Sequence, residues 1–152
     1  IATKRKIRLR ICGAGPLLNN FLKSLEQANI DFQYEGHLDE KKITEFYSSI
    51  KILALPTSYD CWGLVINEAM ASGAIVLTSP LTGAAQELVI DKKTGYIEEL
   101  DIESWRNRIE DILDNQNQLD SLLINAKKQV AKYNHNSAYT GLADAIKSVK
   151  VS

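Results

Sequence analysis

The stretch Thr57-Ser58-Tyr59-Asp60-Cys61-Trp62-Gly63-Leu64-Val65-Ile66-Asn67-Glu68 holds the residues best suited to chemistry. An apolar run ends at Pro56, a polar loop leads to Gly63, and helix-forming residues continue to Ser72. The N–H groups of Gly63 and Leu64 would stand at the positive end of that helix, where an anion binds. Glu68 lies about one and a half turns further in, and helical side chains tilt toward the N-terminus, so its carboxylate can reach back to the same mouth. Amides for a diphosphate and a carboxylate for hydroxyl groups would together suit a nucleotide sugar. A second account fits the same spacing: Glu68 complements the helix dipole, and Asp60 is a loop acid engaged with local backbone.

These residues need a scaffold that gathers loops and helix N-termini. From Ile7 to Glu98 short apolar runs alternate with segments of helical period, the mark of a parallel α/β sheet. Strands are predicted near 7–12, 31–35, 52–55, 75–78 and 95–98, with helices on both faces. Pro16 is expected at the first position of a helix that faces the core with Leu17, Leu18, Phe21, Leu22 and Leu25. Asp39 is expected to cap a second helix bearing Ile43, Phe46, Tyr47 and Ile50. Gly63–Ser72 reads as a helix, Gly83–Val89 as a short helix, and Asp91–Gly95 as a turn. After Asp101, another predicted cap, come helices marked by Trp105, Ile109, Ile112 and Leu113, then by Leu119, Leu122, Leu123, Ala126 and Val130. A last helix is expected over Ser137–Val149, with His135 between helices. The spacing predicts one Rossmann-like domain over residues 1–152.

In such sheets ligands bind beyond the C-terminal ends of the strands, which adds Gly13 to Gly15, Gly36-His37, Thr57 and Ser79 to Gly83 to the candidates. Gly13-Ala14-Gly15-Pro16 lets backbone approach a ligand, but it lacks the third glycine of a dinucleotide fingerprint and the lysine of a P-loop. A tight turn needs glycine anyway. His37 equally fits a surface loop, and Trp62 is an apolar anchor that, by its place, can also shape a sugar pocket.

The chain has 152 residues, 45% of them hydrophobic, enough for a compact core. Eighteen Lys and Arg against nineteen Asp and Glu leave a charge of −1, without the basic excess that a nucleic-acid partner requires. No apolar run approaches the roughly 18 to 20 residues that span a bilayer, and no signal peptide opens the chain, so a soluble cytoplasmic protein is expected. Cys12, Cys61, His37 and His135 have no metal-ligand spacing, and a Cys12–Cys61 disulfide does not suit a reducing compartment. Lys4, Arg5, Lys6, Arg8, Arg10 and Lys23 all precede the first acid, Glu26. They fit a solvated strand edge or a contact with phosphate or anionic lipid.

With these residues in view, the chain resembles the C-terminal, donor-binding domain of GT-B glycosyltransferases of family 4, over nearly its whole length. The family's G-x-G-P is matched by Gly13-Ala14-Gly15-Pro16, its G-[FHY] loop by Gly36-His37, and its L-P-S by Leu55-Pro56-Thr57. Its E-x₇-E motif, with F-G-L-V inside and E-A-M-A-x-G at its end, is matched by Asp60 to Gly73. G-G-x-x-E-x-V is matched by Gly83 to Val89, and D-G-x-x-G by Asp91 to Gly95. The wording Y-D-x-W-G-x-V-x-N-E-A is similar to a bacterial branch that builds surface polysaccharide.

The resemblance implies a Rossmann-like fold lacking the family's first strand. It also implies a retaining, metal-independent enzyme that uses no cofactor and transfers a hexose-type sugar from a UDP-sugar or GDP-sugar donor to a lipid-linked or polysaccharide acceptor. Glu68 would hold the ribose hydroxyls, the Gly63 and Leu64 amides the phosphate or sugar, and Asp60, as the catalytic residue, the donor sugar hydroxyls. Gly36, His37 and Thr57 would border the base and ribose, with Trp62, Cys61, Gly13 and Gly15 completing the substrate-binding set. Asp60 stands where the family has Glu, and no G-R-x-x-x-x-K loop or N-terminal acceptor domain precedes Ile7. The chain is therefore expected to be a fragment of a two-domain enzyme, inactive alone, and peripheral at the inner membrane face in the full-length protein. A nucleotide-sugar epimerase on the same scaffold and a noncatalytic interaction module are the competing readings.

Overall fold

A computed structural model describes residues 5–115 and 119–149; of the early cations, Lys4 lies outside them. In chain order the elements are β1 (Leu9–Cys12), α1 (Leu18–Gln27), β2 (Phe32–Gly36), α2 (Glu40–Ser49), β3 (Ile52–Leu55), α3 (Leu64–Ser72), β4 (Ile75–Thr78), β5 (Tyr96–Ile97), α4 (Ile102–Asp114), α5 (Leu119–Val130) and α6 (His135–Ser148). The chain divides into two compact units, Ile1–Ile50 and Lys51–Ser152. The strands form two parallel sheets, β1-β2 in the first unit and β3-β4-β5 in the second. Parallel sheets joined through helices make this the Rossmann-like α/β architecture expected from the alternation of apolar runs.

In the first unit Leu9 pairs with Phe32 and Ile11 with Tyr34, and a register shift then sets Cys12 opposite Gly36. Proline does not open α1. Pro16 occupies the corner of a turn in which the Leu18 N–H donates to the Gly15 carbonyl at 3.1 Å, and the helix starts two residues later, behind Leu17. Leu18, Leu22 and Leu25 are half-buried, whereas Leu17 and Phe21 are exposed, so the core-facing stripe is narrower than predicted. The helix closes on Asn29 at φ 52°, with the Ile30 N–H reaching the Leu25 carbonyl at 3.0 Å. Asp39 caps α2 as expected, its Oδ1 accepting from the Lys42 N–H at 2.9 Å, and Phe46 and Tyr47 are buried edge to face. Arg8 pairs with Asp31 and Arg10 with Glu35, Arg10 also lying over the Phe46 ring at 4.8 Å. These two cations thus serve the unit's own packing.

In the second unit β4 lies between β3 and β5, with Ile52 opposite Ile75 and Leu77 opposite Tyr96. All four β4 residues are buried, as a strand partnered on both edges and covered on both faces must be. Ile75, Leu77 and Tyr96 pack with Ile112 of α4 and Leu122 of α5, while α3 buries Ile66, Ala69 and Met70. Gly83–Val89 is a compact turn, not the predicted short helix. Gln86 at φ 71° breaks any helical path, and its N–H donates to the Val89 carbonyl at 3.0 Å. The turn prevails because it takes Ala84, Leu88 and Val89 completely out of water. The Asp91–Gly95 turn forms as expected, with Lys92 at φ 60°.

Asp101 caps α4 through the Ser104 N–H at 2.8 Å. α6 begins two residues earlier than predicted: Asn134 is its cap, bonded to the Ser137 N–H at 3.0 Å, and His135 is its first residue rather than part of an interhelical loop. Among the described residues no helix is long and apolar enough to cross a membrane.

Candidate functional site

The first unit brings Gly13 and Gly36 together at the C-terminal ends of its strands: the Gly13 N–H donates to the Gly36 carbonyl at 2.8 Å, and the Tyr34 hydroxyl donates to the Gly13 carbonyl at 3.0 Å. Both glycines are left-handed, at φ 109° and 69°, which accounts for the residue type at each. Gly15 accepts the bond that closes the turn into α1, and His37 is exposed one residue beyond β2.

In the second unit the remaining candidates are held by a tie between two loops. Asp60 donates its N–H to the Leu81 carbonyl at 3.3 Å and accepts at its own carbonyl from the Gly83 N–H at 3.0 Å. The Ala84 N–H then reaches the Trp62 carbonyl at 2.8 Å. The Asp60 carboxylate is half-buried and accepts the Trp62 N–H at 3.0 Å through Oδ1, so it shapes the loop while keeping its other oxygen for a ligand. The Thr57 hydroxyl donates to the Tyr59 carbonyl at 3.0 Å and is engaged in its own turn. Cys61 is an exposed thiol 3.5 Å from the Tyr59 hydroxyl. That contact with Cys61, then desolvation and the Asp60 charge, raise the Tyr59 hydroxyl above its ordinary pKa.

Gly63 ends the loop at φ 86° and precedes α3, whose N-terminus carries no side-chain cap. α2, α4 and α6 are each closed by an Asp or Asn, whereas α1 and α3 carry no side-chain cap and leave the amides of their first turns open. Leu64 is exposed, and Glu68, one turn on, shares its outward face. Uncapped amides and an exposed carboxylate on one helix face can receive a phosphate and a diol.

Two grooves flank this helix. One, of 720 Å³, is lined by Trp62, Asn67, Lys132, Tyr133 and His135; the other, of 520 Å³, by Asn67, Glu68, Lys127 and Tyr133. Asn67 accepts the Trp62 indole N–H at 2.8 Å, and the Tyr133 ring lies 5.8 Å from the indole. Asn67, Glu87 and Tyr133 were given no role from the sequence, whereas Thr82 lay within the Ser79 to Gly83 candidates. Glu87 stood inside a quoted motif, but Tyr133 has no motif around it and reaches the site only through the fold. Among the described residues no three His, Cys, Asp or Glu side chains converge as a metal site requires.

The fold is similar to that of several solved structures. It superposes on sucrose-phosphate synthase from Thermosynechococcus elongatus with a TM-score of 0.78 at 23% identity, covering 91% of this chain and 37% of that one. HepE from Anabaena, in complex with UDP-glucose, gives 0.81 at 17% identity, covering 92% and 40%. A TarM variant from S. aureus, with UDP and α-GlcNAc-glycerol among its ligands, gives 0.82 at 21% identity, covering 94% and 30%. This chain therefore spans well under half of these relatives' length. Among curated proteins none matches it. The family profile described as "Glycosyl transferases group 1" matches residues 1–129, a span that holds Asp60, Gly63 and Glu68 and stops short of Tyr133, and the chain belongs to that family.

Proposed function

We propose that this chain is the nucleotide-sugar-binding, C-terminal part of a family 4 GT-B enzyme, a retaining glycosyltransferase that moves a hexose-type sugar from a UDP- or GDP-linked donor. The observation that carries the reading is the α3 N-terminus without a side-chain cap, behind the buried Gly63, with Leu64 and Glu68 on one exposed face. In this reading the turn's amides take the diphosphate and Glu68 accepts hydrogen bonds from the ribose hydroxyls. Asp60 is the catalytic residue, directing its other carboxylate oxygen to the sugar hydroxyls, and Trp62 and Cys61 line that end. Thr57 borders the same site, and Gly13, Gly15, Gly36 and His37 are the donor-binding candidates of the first unit. Stabilising the departing diphosphate with fixed amides is the main electrostatic task, and it requires neither metal nor cofactor. The UDP and UDP-glucose bound by the similar proteins support this class of donor. The acceptor is a lipid-linked glycan or surface polysaccharide, presented by an N-terminal domain at the cytoplasmic membrane face.

Titration of UDP, GDP, UDP-glucose and GDP-mannose against the complete protein, with detection of released diphosphate and transferred sugar, tests the reading. Binding of a nucleotide sugar with transfer is expected. Epimerised sugar without transfer would replace it with the isomerase reading, and nucleotide binding without any product would replace it with that of a binding module.

A further inference from the structure

We infer that Tyr133 is a positioning residue of this site: from the segment after α5 it holds the Trp62 turn and the Glu87 turn in one arrangement, and with them the Gly63 and Leu64 amides. The inference rests on the reading of the Gly63 turn as the donor site. Trp62 is tied by its N–H to Asp60 at 3.0 Å, by its carbonyl to Ala84 at 2.8 Å and by its indole N–H to Asn67 at 2.8 Å. Its ring is met by Tyr133, the two planes tilted by 43°. The Tyr133 hydroxyl donates to Glu87 Oε2 at 2.8 Å, and Gln129, one turn back, donates from Nε2 to the Glu87 carbonyl at 2.7 Å. One aromatic side chain therefore touches both loops that build the site's floor, and Gln86 beside Glu87 is left-handed, a conformation that persists only where neighbours hold it.

Tyr133 is itself well anchored. Its N–H donates to the Val130 carbonyl at 3.0 Å, and the next residue, Asn134, is fixed both as the α6 cap and by its Nδ2 donating to the Ala131 carbonyl at 2.7 Å. Tyr133 is 40% exposed, so its ring packs on Trp62 at the surface rather than in the core. The hydrogen bond to the Glu87 carboxylate, then desolvation and the Glu87 charge, raise the hydroxyl above its ordinary pKa.

The test uses the complete protein labelled with 5-fluorotryptophan, the Trp62 resonance being assigned with Trp62→Phe. Tyr133→Phe deletes only the bond to Glu87 and is expected to weaken UDP-glucose binding about threefold to tenfold with Tm unchanged. Tyr133→Ala removes the ring as well and should shift the Trp62 fluorine resonance and weaken binding further. Binding within twofold of the parent in both variants, with the Trp62 resonance unmoved, would overturn the inference. So would a lowered Tm with binding and resonance unchanged, since that is a purely structural role. If Tyr133→Ala does not fold, Tyr133→Phe decides by the same binding criterion. A parent that binds no nucleotide sugar sinks the functional reading instead, and the Trp62 resonance in the Tyr133 variants still decides whether Tyr133 fixes the turn.

Discussion

A β-carbon added to Gly63 would stand 2.7 Å from Cγ2 of Thr82, whose buried hydroxyl is 2.8 Å from that of Thr78. The glycine at the helix start and the threonine of the neighbouring loop are thus fitted to each other. Gly63 is also left-handed, which a side chain makes costly by about 1–2 kcal/mol. Gly63→Ala should therefore lose about 2–3 kcal/mol by urea melts. Thr82→Ser deletes only the offending methyl group and keeps the hydroxyl, so the double variant should lose less than the sum of the two singles. Strict additivity would show that the methyl contact carries none of the cost.

Asp60 and Glu68 should separate by ligand. Glu68→Gln is expected to weaken both UDP and UDP-glucose by about 10- to 100-fold, the worth of a hydrogen bond to a charged group at the ribose. Asp60→Asn retains the oxygen that accepts the Trp62 N–H, so the loop survives and only the charge is lost. It should leave UDP affinity nearly unchanged and depress turnover of the sugar donor. Calorimetry with UDP and kinetics with the intact donor check both, and equal loss of UDP binding in the two variants would refute the division of roles.

Lys92 stands at φ 60° in the Asp91–Gly95 turn, where a side chain costs about 1–2 kcal/mol. Lys92→Gly should stabilise the protein by up to about 1 kcal/mol, part of the relief being offset by the greater freedom of glycine in the unfolded chain. A denaturant midpoint that falls, or does not move, would contradict this.

The Asp101 carboxylate is held below its ordinary pKa, first by a hydrogen bond from the Ser104 side chain and then by that from the Ser104 N–H. Its ionised form is therefore favoured in the folded chain, and the stability it contributes is complete above the ordinary value. That stability fades as pH falls from about 4 through the lowered folded value. Asp101→Asn keeps a capping oxygen that does not titrate. The gap in Tm between parent and variant should accordingly narrow on acidification below about pH 4 and stay constant above about pH 5; a gap independent of pH throughout would argue against the cap's charge.

The strands and most helices were legible because periodicity reports burial directly: Ile75 to Thr78 reads as a buried run and is one. The caps Asp39 and Asp101 were legible because capping is local chemistry. The Gly83–Val89 segment was not. Its residues suit a helix, and only the pocket that receives Leu88 and Val89 makes a turn at Gln86 preferable. Lys92 shows a different limit, since nothing in its residue type reveals a left-handed backbone; the glycine expected there by resemblance was the one hint. Tyr133 was invisible because its partners, Trp62 and Glu87, are 71 and 46 residues away in sequence. The Asp60–Glu68 segment could be placed on a loop and helix, but its hydrogen bonds to the 81–84 segment depend on tertiary structure.

The hydroxyls that gather where β4 ends bear on the entropy of binding. Thr78 and Ser79 are wholly buried, with Thr78 Oγ1 bonded to the Leu55 carbonyl and Ser79 Oγ to that of Thr57, so the exits of β3 and β4 are stitched together below the Asp60 loop. The freedom of these backbones is surrendered when the chain folds. A ligand settling on the Gly63 turn would then have little floor left to order, and its association would be opposed mainly by the loss of its own tumbling and translation.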